Sequence, residues 1–261
     1  MVSLMNKPIV GAQLYTIREF TKNPEDIARS MKRIKDIGYN AVQVSGFGPV
    51  EHQLVKDIMD AEGLTVCATH IGYDRLKNET DDVIKQHKLW NCKYVGLGAM
   101  PAEYAKSAQG YVSFAREASG IARVLADNGL RFIYHNHNFE FMKFDGITGM
   151  EILLNETDPD VFDFEIDTYW VQAGGANPVD WIRKVKDRMK VVHFKDMGAN
   201  SNFQSVMTEV GEGNLNWQEI IKACIEIGVE WAMVEQDVCQ RDPFESLSIS
   251  LRNLKKFGLN A

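Results

Sequence analysis

Four of the six histidines in this chain stand at the ends of short apolar runs, together with two carboxylates. His70 ends the run Leu64–His70. His135 and His137 flank Asn136 at the end of Phe132–His137, with Glu140 three residues further on. Asp167 ends Val161–Asp167, His193 lies near the end of Val191–Lys195, and Glu235 ends Trp231–Glu235. Imidazoles and carboxylates move protons near neutral pH, and both ligate divalent cations. An unpaired carboxylate in a desolvated place is costly. A divalent cation is an economical partner for several carboxylates and an imidazole converging on one axis. Oxygen-rich ligation with imidazole suits manganese, magnesium, iron, cobalt or zinc, and leaves no place for a soft cysteine site. Each residue alone has a plainer reading. His193 could be a satisfied core histidine, Asp167 a helix cap, and Glu235 the partner of Lys195. Taken together, these ends would need a separate explanation each.

The elements that must position them alternate. The runs are Ile9–Tyr15, Ala41–Ser45, Leu64–His70, Tyr94–Gly98, Phe132–His137, Val161–Asp167, Val191–Lys195 and Trp231–Glu235, eight expected strands. Between them lie amphipathic segments. Asn23 and Pro24 open one helix and Gly38 closes it, with Ile27, Met31, Ile34 and Ile37 on one face. Pro49–Ala61, Thr80–Trp90 and Tyr104–Asp127 read as helices, as do 148–155, 178–188, 216–227 and 243–257. Ala173–Gly175 and Gly211–Gly213 read as loops. Eight β–α alternations imply parallel strands joined by crossover helices. In 261 residues they imply one α/β domain over 1–261, a single (β/α)8 TIM barrel. An open doubly wound sheet would carry a glycine-rich turn after its first strand, and Gly11-Ala12-Gln13-Leu14-Tyr15 is not one.

In such a barrel the strand C-terminal ends build the active site. Alternation puts Met233 and Trp231 on the face of Glu235, and Val191 on the face of His193. Each polar end therefore caps an inward stripe of core. Glu165 shares a face with Asp167 and Lys195 with His193, so a buried Glu165–Lys195 pair beneath a metal is expected.

The formal net charge of −7 and a pI near 5.4 oppose a nucleic-acid partner. No apolar run is long enough to span a membrane. The segment MVSLMNKPIV lacks the pattern of a secretory leader. Cys67, Cys92 and Cys224 read as buried hydrophobes. A cytoplasmic setting is expected, a homo-oligomer is compatible, and a small molecule is the expected partner.

At these residues the chain resembles the sugar phosphate isomerase/epimerase family with the xylose isomerase-like barrel. The resemblance rests on Tyr134-His-Asn-His-Asn-Phe-Glu-Phe141, Glu165-Ile-Asp-Thr-Tyr-Trp170 with Ala173-Gly174, Val192-His-Phe-Lys-Asp196, Val210-Gly-Glu-Gly213 with Asn216-Trp217, and Val234-Glu-Gln-Asp237. It implies one divalent metal, manganese foremost, held by two glutamates, an aspartate and a histidine. Asp167, His193 and Glu235 take three of these places. Glu140 is the expected fourth ligand, with His135 or His137 as the competing assignment. The implied chemistry is proton abstraction beside a sugar carbonyl, with a metal-stabilised enediolate. Glu235 and His137 are the expected acid/base pair, with Glu140 as ligand or base. His70, His135, Trp170 and Lys195 would orient the sugar, and Tyr15 and Trp170 would stack on it. The alternatives are a lyase or hydratase acting on a keto sugar or glycoside, an endonuclease IV-type phosphodiesterase, and a non-catalytic sugar-binding barrel.

Overall fold

The structure is a computed structural model that describes residues 7–261. The first six residues, which belong to the stretch read above for a leader, lie outside it. Among the described residues, eight parallel strands close into one barrel. They are β1 (Ile9–Gln13), β2 (Ala41–Val44), β3 (Thr65–His70), β4 (Tyr94–Leu97), β5 (Arg131–His135), β6 (Phe162–Asp167), β7 (Val191–Phe194) and β8 (Trp231–Val234). Strand β8 returns to β1, with Ile9–Ala12 beside Trp231–Val234.

All eight expected runs are strands; two of them end two residues early and four end one residue early. Leu14–Phe20 forms a short 3-10 helix, so Tyr15 lies beyond β1. Strand β5 stops at His135, which leaves Asn136 and His137 in the turn above it. The helix expected over Tyr104–Asp127 begins at Ala108, behind a 3-10 turn at Tyr104–Lys106. That expected over Pro49–Ala61 runs from His52 to Glu62. Two short helices were not expected, Tyr73–Asn78 and Thr168–Ala173; the second takes up Ala173, read above as loop. An antiparallel hairpin pairs Asp196–Ala199 with Ser205–Thr208 after β7.

Two apolar cores hold these layers. Outside the barrel, helix faces such as Ile27, Met31 and Ile34 of Pro24–Ile37 are buried against the strands. Asn23 caps this helix by accepting from the Asp26 amide, and Gly38 ends it in the left-handed region. Inside, Ala41, Cys67, Ala68, Tyr94, Ile133, Val191 and Met233 form a compact plug with Trp231 against it. Gly11 makes room for that plug. A Cβ there would stand 2.5 Å from Met233 Cε. The N-terminal ends of the strands are closed by polar locks. Arg131 grips Asp163 through two bonds of 2.9 and 2.6 Å, and the Tyr94 hydroxyl donates to Glu230 at 2.6 Å. Cys67, Cys92 and Cys224 are buried free thiols, as their apolar surroundings implied. No helix among the described residues is long and apolar enough to cross a membrane.

Candidate active site

At the opposite end of the plug, the interior turns from apolar to charged. Gln43, His135, Glu165, Asp167, His193, Lys195 and Glu235 are all buried there. Above them opens a cavity of about 580 Å3. Its wall includes Tyr15, Arg18, His70, Tyr73, His135, His137, Trp170, Glu235 and Asp237.

The polar groups lie at two depths. In the lower layer, Glu165 accepts from Gln43 at 2.9 Å and meets His70 Nε2 at 2.6 Å and His193 Nε2 at 3.2 Å. In the upper layer, His135, Asp167, His193 and Glu235 bring one ligand atom each within 4.8 Å of one another. Lys195 Nζ sits beside them, 3.0 Å from Asp167, 2.8 Å from Glu235 and 3.0 Å from Asp237. The expected Glu165–Lys195 pair is therefore not formed. Glu165 points down to two histidines, and Lys195 points up to three other carboxylates.

The hydrogen bonds around the upper cluster decide its chemistry. His135 Nδ1 lies 3.0 Å from the Gly98 carbonyl, an acceptor only, so this nitrogen carries the proton. His135 Nε2 then aims a lone pair at Asp167 Oδ2, 3.1 Å away. His193 repeats the arrangement. Its Nε2 faces the Gln43 carbonyl oxygen at 2.8 Å, and its Nδ1 faces Glu235 Oε2 at 3.0 Å. Outer acceptors fix each ring, as they do around metal-bound imidazoles. Two lone pairs and two carboxylates thus face one small volume, a donor set that fits a divalent cation. Burial alone would lower the His193 pKa, but Glu165 and Glu235 raise it to about 10. Against burial, Lys195 and the histidines hold Asp167 below its ordinary value and Glu235 well below its own.

Glu140 is not in this cluster. It is fully buried, and its Oε1 accepts from the Tyr134 hydroxyl at 2.6 Å while Oε2 accepts from the His137 amide at 2.9 Å. Both oxygens are occupied away from the other donors. His135, one of the two histidines of the competing assignment, stands in the cluster where Glu140 was expected. Burial raises the Glu140 pKa to about 7, despite these two bonds. Its visible work is to shape the turn that carries His137.

The strand-five motif builds this corner from its own residues. Tyr134 holds Glu140, Glu140 holds the His137 backbone, and Asn136 Oδ1 accepts from the Asp167 amide at 3.0 Å. Asp167 in turn caps the helix Thr168–Ala173 by accepting from Trp170 N at 2.8 Å through Oδ1. This leaves Oδ2 for the cluster. Gly174 follows because a Cβ there would come within 2.5 Å of the Phe141 ring.

The cavity wall holds the remaining expected residues. The His137 ring stands 5.3 Å from Trp170, centroid to centroid. Its Nδ1 and Trp170 Nε1 are buried without a hydrogen-bond partner among the described residues. Burial, followed by His135, lowers the His137 pKa to about 3, so the ring is neutral. Both side chains, His137 and Trp170, line the cavity. His70 turns one edge to Glu165 and lines the cavity with the other. Tyr15 lines the mouth with the Arg18 guanidinium 4.4 Å from its ring centroid.

Sequence reasoning assigned no role to Asp237, Gln43 or Arg18. Asp237 and Gln43 carried a signal. Asp237 lies two residues past Glu235, in the segment just beyond β8, and Gln43 is a polar residue inside an apolar strand. Arg18 belongs to an irregular segment and carried none.

Residues 31–257 match the family described as the xylose isomerase-like TIM barrel. The inosose dehydratase of Lacticaseibacillus casei is 24% identical over 247 residues, covering 80% of this chain and 82% of that protein. A sugar phosphate isomerase/epimerase from Parabacteroides distasonis superposes with a TM-score of 0.79 at 24% identity, over 96% of this chain and 98% of its own. The D-psicose 3-epimerase of Clostridium cellulolyticum superposes with a TM-score of 0.71 at 13% identity, over 97% and 100%. At these identities the superpositions speak for the fold. With the match running through nearly every barrel strand, this chain belongs to the xylose isomerase-like TIM barrel family.

Proposed function

We propose that this protein is a divalent-metal-dependent enzyme that removes the proton beside the carbonyl of a sugar-like hydroxyketone, an isomerase or epimerase in its simplest form. One observation carries the reading: two imidazole nitrogens, His135 Nε2 and His193 Nδ1, meet Asp167 and Glu235 in one buried cluster while an outer acceptor holds the other nitrogen of each ring. His135, Asp167, His193 and Glu235 would hold the ion, manganese foremost. When bound, it would act as a Lewis acid on the carbonyl side of the substrate. The chain's own residues do the rest. His137 Nδ1 is free to hold or deliver a proton, and Glu235 is the carboxylate that lines the cavity nearest the cluster. Trp170 and Tyr15 offer faces to a sugar ring, and Lys195 holds Asp167, Glu235 and Asp237 together.

A second outcome of the same first step is elimination of water. It is favoured by the histidine at the end of strand five, where a paired-carboxylate epimerase would need a glutamate. The inosose dehydratase relative is in keeping with it. Incubating the metal-loaded protein with ketohexoses and inososes in heavy water tests both. Deuterium beside the carbonyl with an isomeric product supports the isomerase, and loss of water supports the lyase. No exchange in any of them, from a protein carrying about one equivalent of metal, sinks the proposal. Glu235→Gln should lower both metal content and exchange while the barrel stays folded.

A further inference from the structure

We infer that the substrate carries an aromatic group attached to its sugar ring, and that a side pocket between the loops after β2 and β3 holds this group. The sugar half of such a molecule rests on the function proposed above. A second cavity, of about 250 Å3, lies beside the first. Ser45, His70 and Ile71 line both, so the two spaces share three wall residues. Residues 45–50, the loop after β2, form much of the side pocket and also press on the wall of the first cavity. A Cβ at Gly46 would stand 3.0 Å from the Tyr15 ring and 3.2 Å from Arg18 Cβ, and both of these residues line the first cavity.

The run Gly46-Phe-Gly-Pro49 shapes the side pocket. Gly46 lies in the left-handed region, with φ at 72°. Gly48 donates to the Thr21 carbonyl at 2.8 Å, and a Cβ there would come 2.0 Å from the Lys22 carbonyl oxygen. Two glycines thus pin the loop that carries Phe47 in the pocket wall. Pro49, Val50, Val55 and Trp90 add apolar surface. Trp90 is fixed in place: its indole N–H donates to the His52 carbonyl at 2.8 Å, and its ring meets the His52 ring edge-on, with centroids 5.7 Å apart. Aromatic walls favour an aromatic guest, which can stack offset or edge-on. Arg75, the one Lys or Arg among the described residues of this wall, is bonded to Glu79 at 3.2 Å, Asp82 at 2.6 Å and Gln86 at 3.2 Å. No free guanidinium remains for an anionic group. The first cavity gathers histidines and carboxylates, whereas the second is mainly apolar. That division suits a molecule in two parts, a polar ring that reacts and an apolar ring that anchors it.

Fluorine NMR titration of the metal-free protein with 4-fluorophenol tests the aromatic site without a sugar. We expect saturable binding with a Kd of about 1 mM, within reach of so small a ligand when it is well buried. Val50→Trp fills the pocket and should weaken binding at least about 10-fold, the worth of burying one aromatic ring. Phe47→Ala, at a half-buried position, should weaken it several-fold and decides the matter if the larger side chain prevents folding. No saturable binding, or a Kd unchanged in the folded variants, would overturn the inference. 4-Fluorophenyl β-D-glucoside should then bind at least about 10-fold tighter than 4-fluorophenol, because its second half docks within the same molecule. A glucoside that binds no tighter would overturn the assignment of the pocket to the substrate. These titrations need neither metal nor turnover. Absence of deuterium exchange would sink the reading of the reaction, and the titrations would still decide the aromatic site.

Discussion

Replacing Glu140 with Gln separates a turn-shaping carboxylate from a metal ligand. Gln is close in shape. Its carbonyl oxygen can accept from the His137 amide, and its amide can donate to the Tyr134 oxygen, so the turn should persist. What changes is the cost of charge. Burial raises the Glu140 pKa from an ordinary 4.5 to about 7. The folded state therefore holds this proton more tightly than the unfolded chain. Stability from Glu140 is present in full below the unfolded pKa and is lost as pH rises through the folded one. At about 1.4 kcal/mol for each tenfold change in proton affinity, the loss is about 3 kcal/mol. Gln has no proton to lose. The stability of the variant relative to the parent should thus grow by about 3 kcal/mol between about pH 5 and about pH 8. Urea unfolding of both proteins across that range measures the difference, and groups common to both cancel. Parallel stability curves would refute the account of a strained buried carboxyl. Loss of bound metal from the variant would refute the placement of the ligand set and return Glu140 to the cluster.

Three further outcomes are expected. His137→Ala should lower deuterium exchange by about 10^2 to 10^4-fold, the usual worth of a positioned acid or base, while metal content stays unchanged by elemental analysis. Gln43→Leu removes the carbonyl that orients His193, and should weaken metal binding about 10-fold or more by competition with a chelator; unchanged affinity would mean that Glu165 alone holds the ring. Gly11→Ala drives a methyl group into Met233 and should cost about 1–3 kcal/mol in denaturant unfolding. Adding Met233→Ala should recover part of that loss, and a double variant no better than the single one would show that the clash lies elsewhere.

The barrel could be read from the sequence because its signals are local. Branched and apolar runs mark the strands, while Asn23, Pro24 and Gly38 bracket a helix by backbone chemistry alone. Polar residues at strand ends marked the functional end of the barrel for the same reason. The division of labour within the site was harder to read. Whether Glu140 or His135 reaches the cluster depends on where β5 stops, and a change of one residue turns a side chain to the other face. Glu165 and Lys195 do share the interior face. Alternation reports the face of a side chain and not its depth along the barrel axis, so it suggested a pair that the two layers keep apart. The hairpin from Asp196 to Thr208 hangs on one carboxylate reaching amides up to nineteen residues away, a pattern without periodicity.

The locks at the N-terminal ends of the strands bear on how readily this protein can acquire new activities. Arg131 with Asp163, Tyr94 with Glu230 and the plug around Met233 lie at the opposite end from every residue of the cavity wall. Substitutions at the mouth, at Tyr15, Tyr73, Trp170 or Val238, therefore leave those locks untouched. Selection can try many side chains there before the barrel fails to form. A library confined to those four positions should yield mostly folded proteins with altered ligand preference, whereas an equal number of changes at the locks should yield mostly insoluble ones.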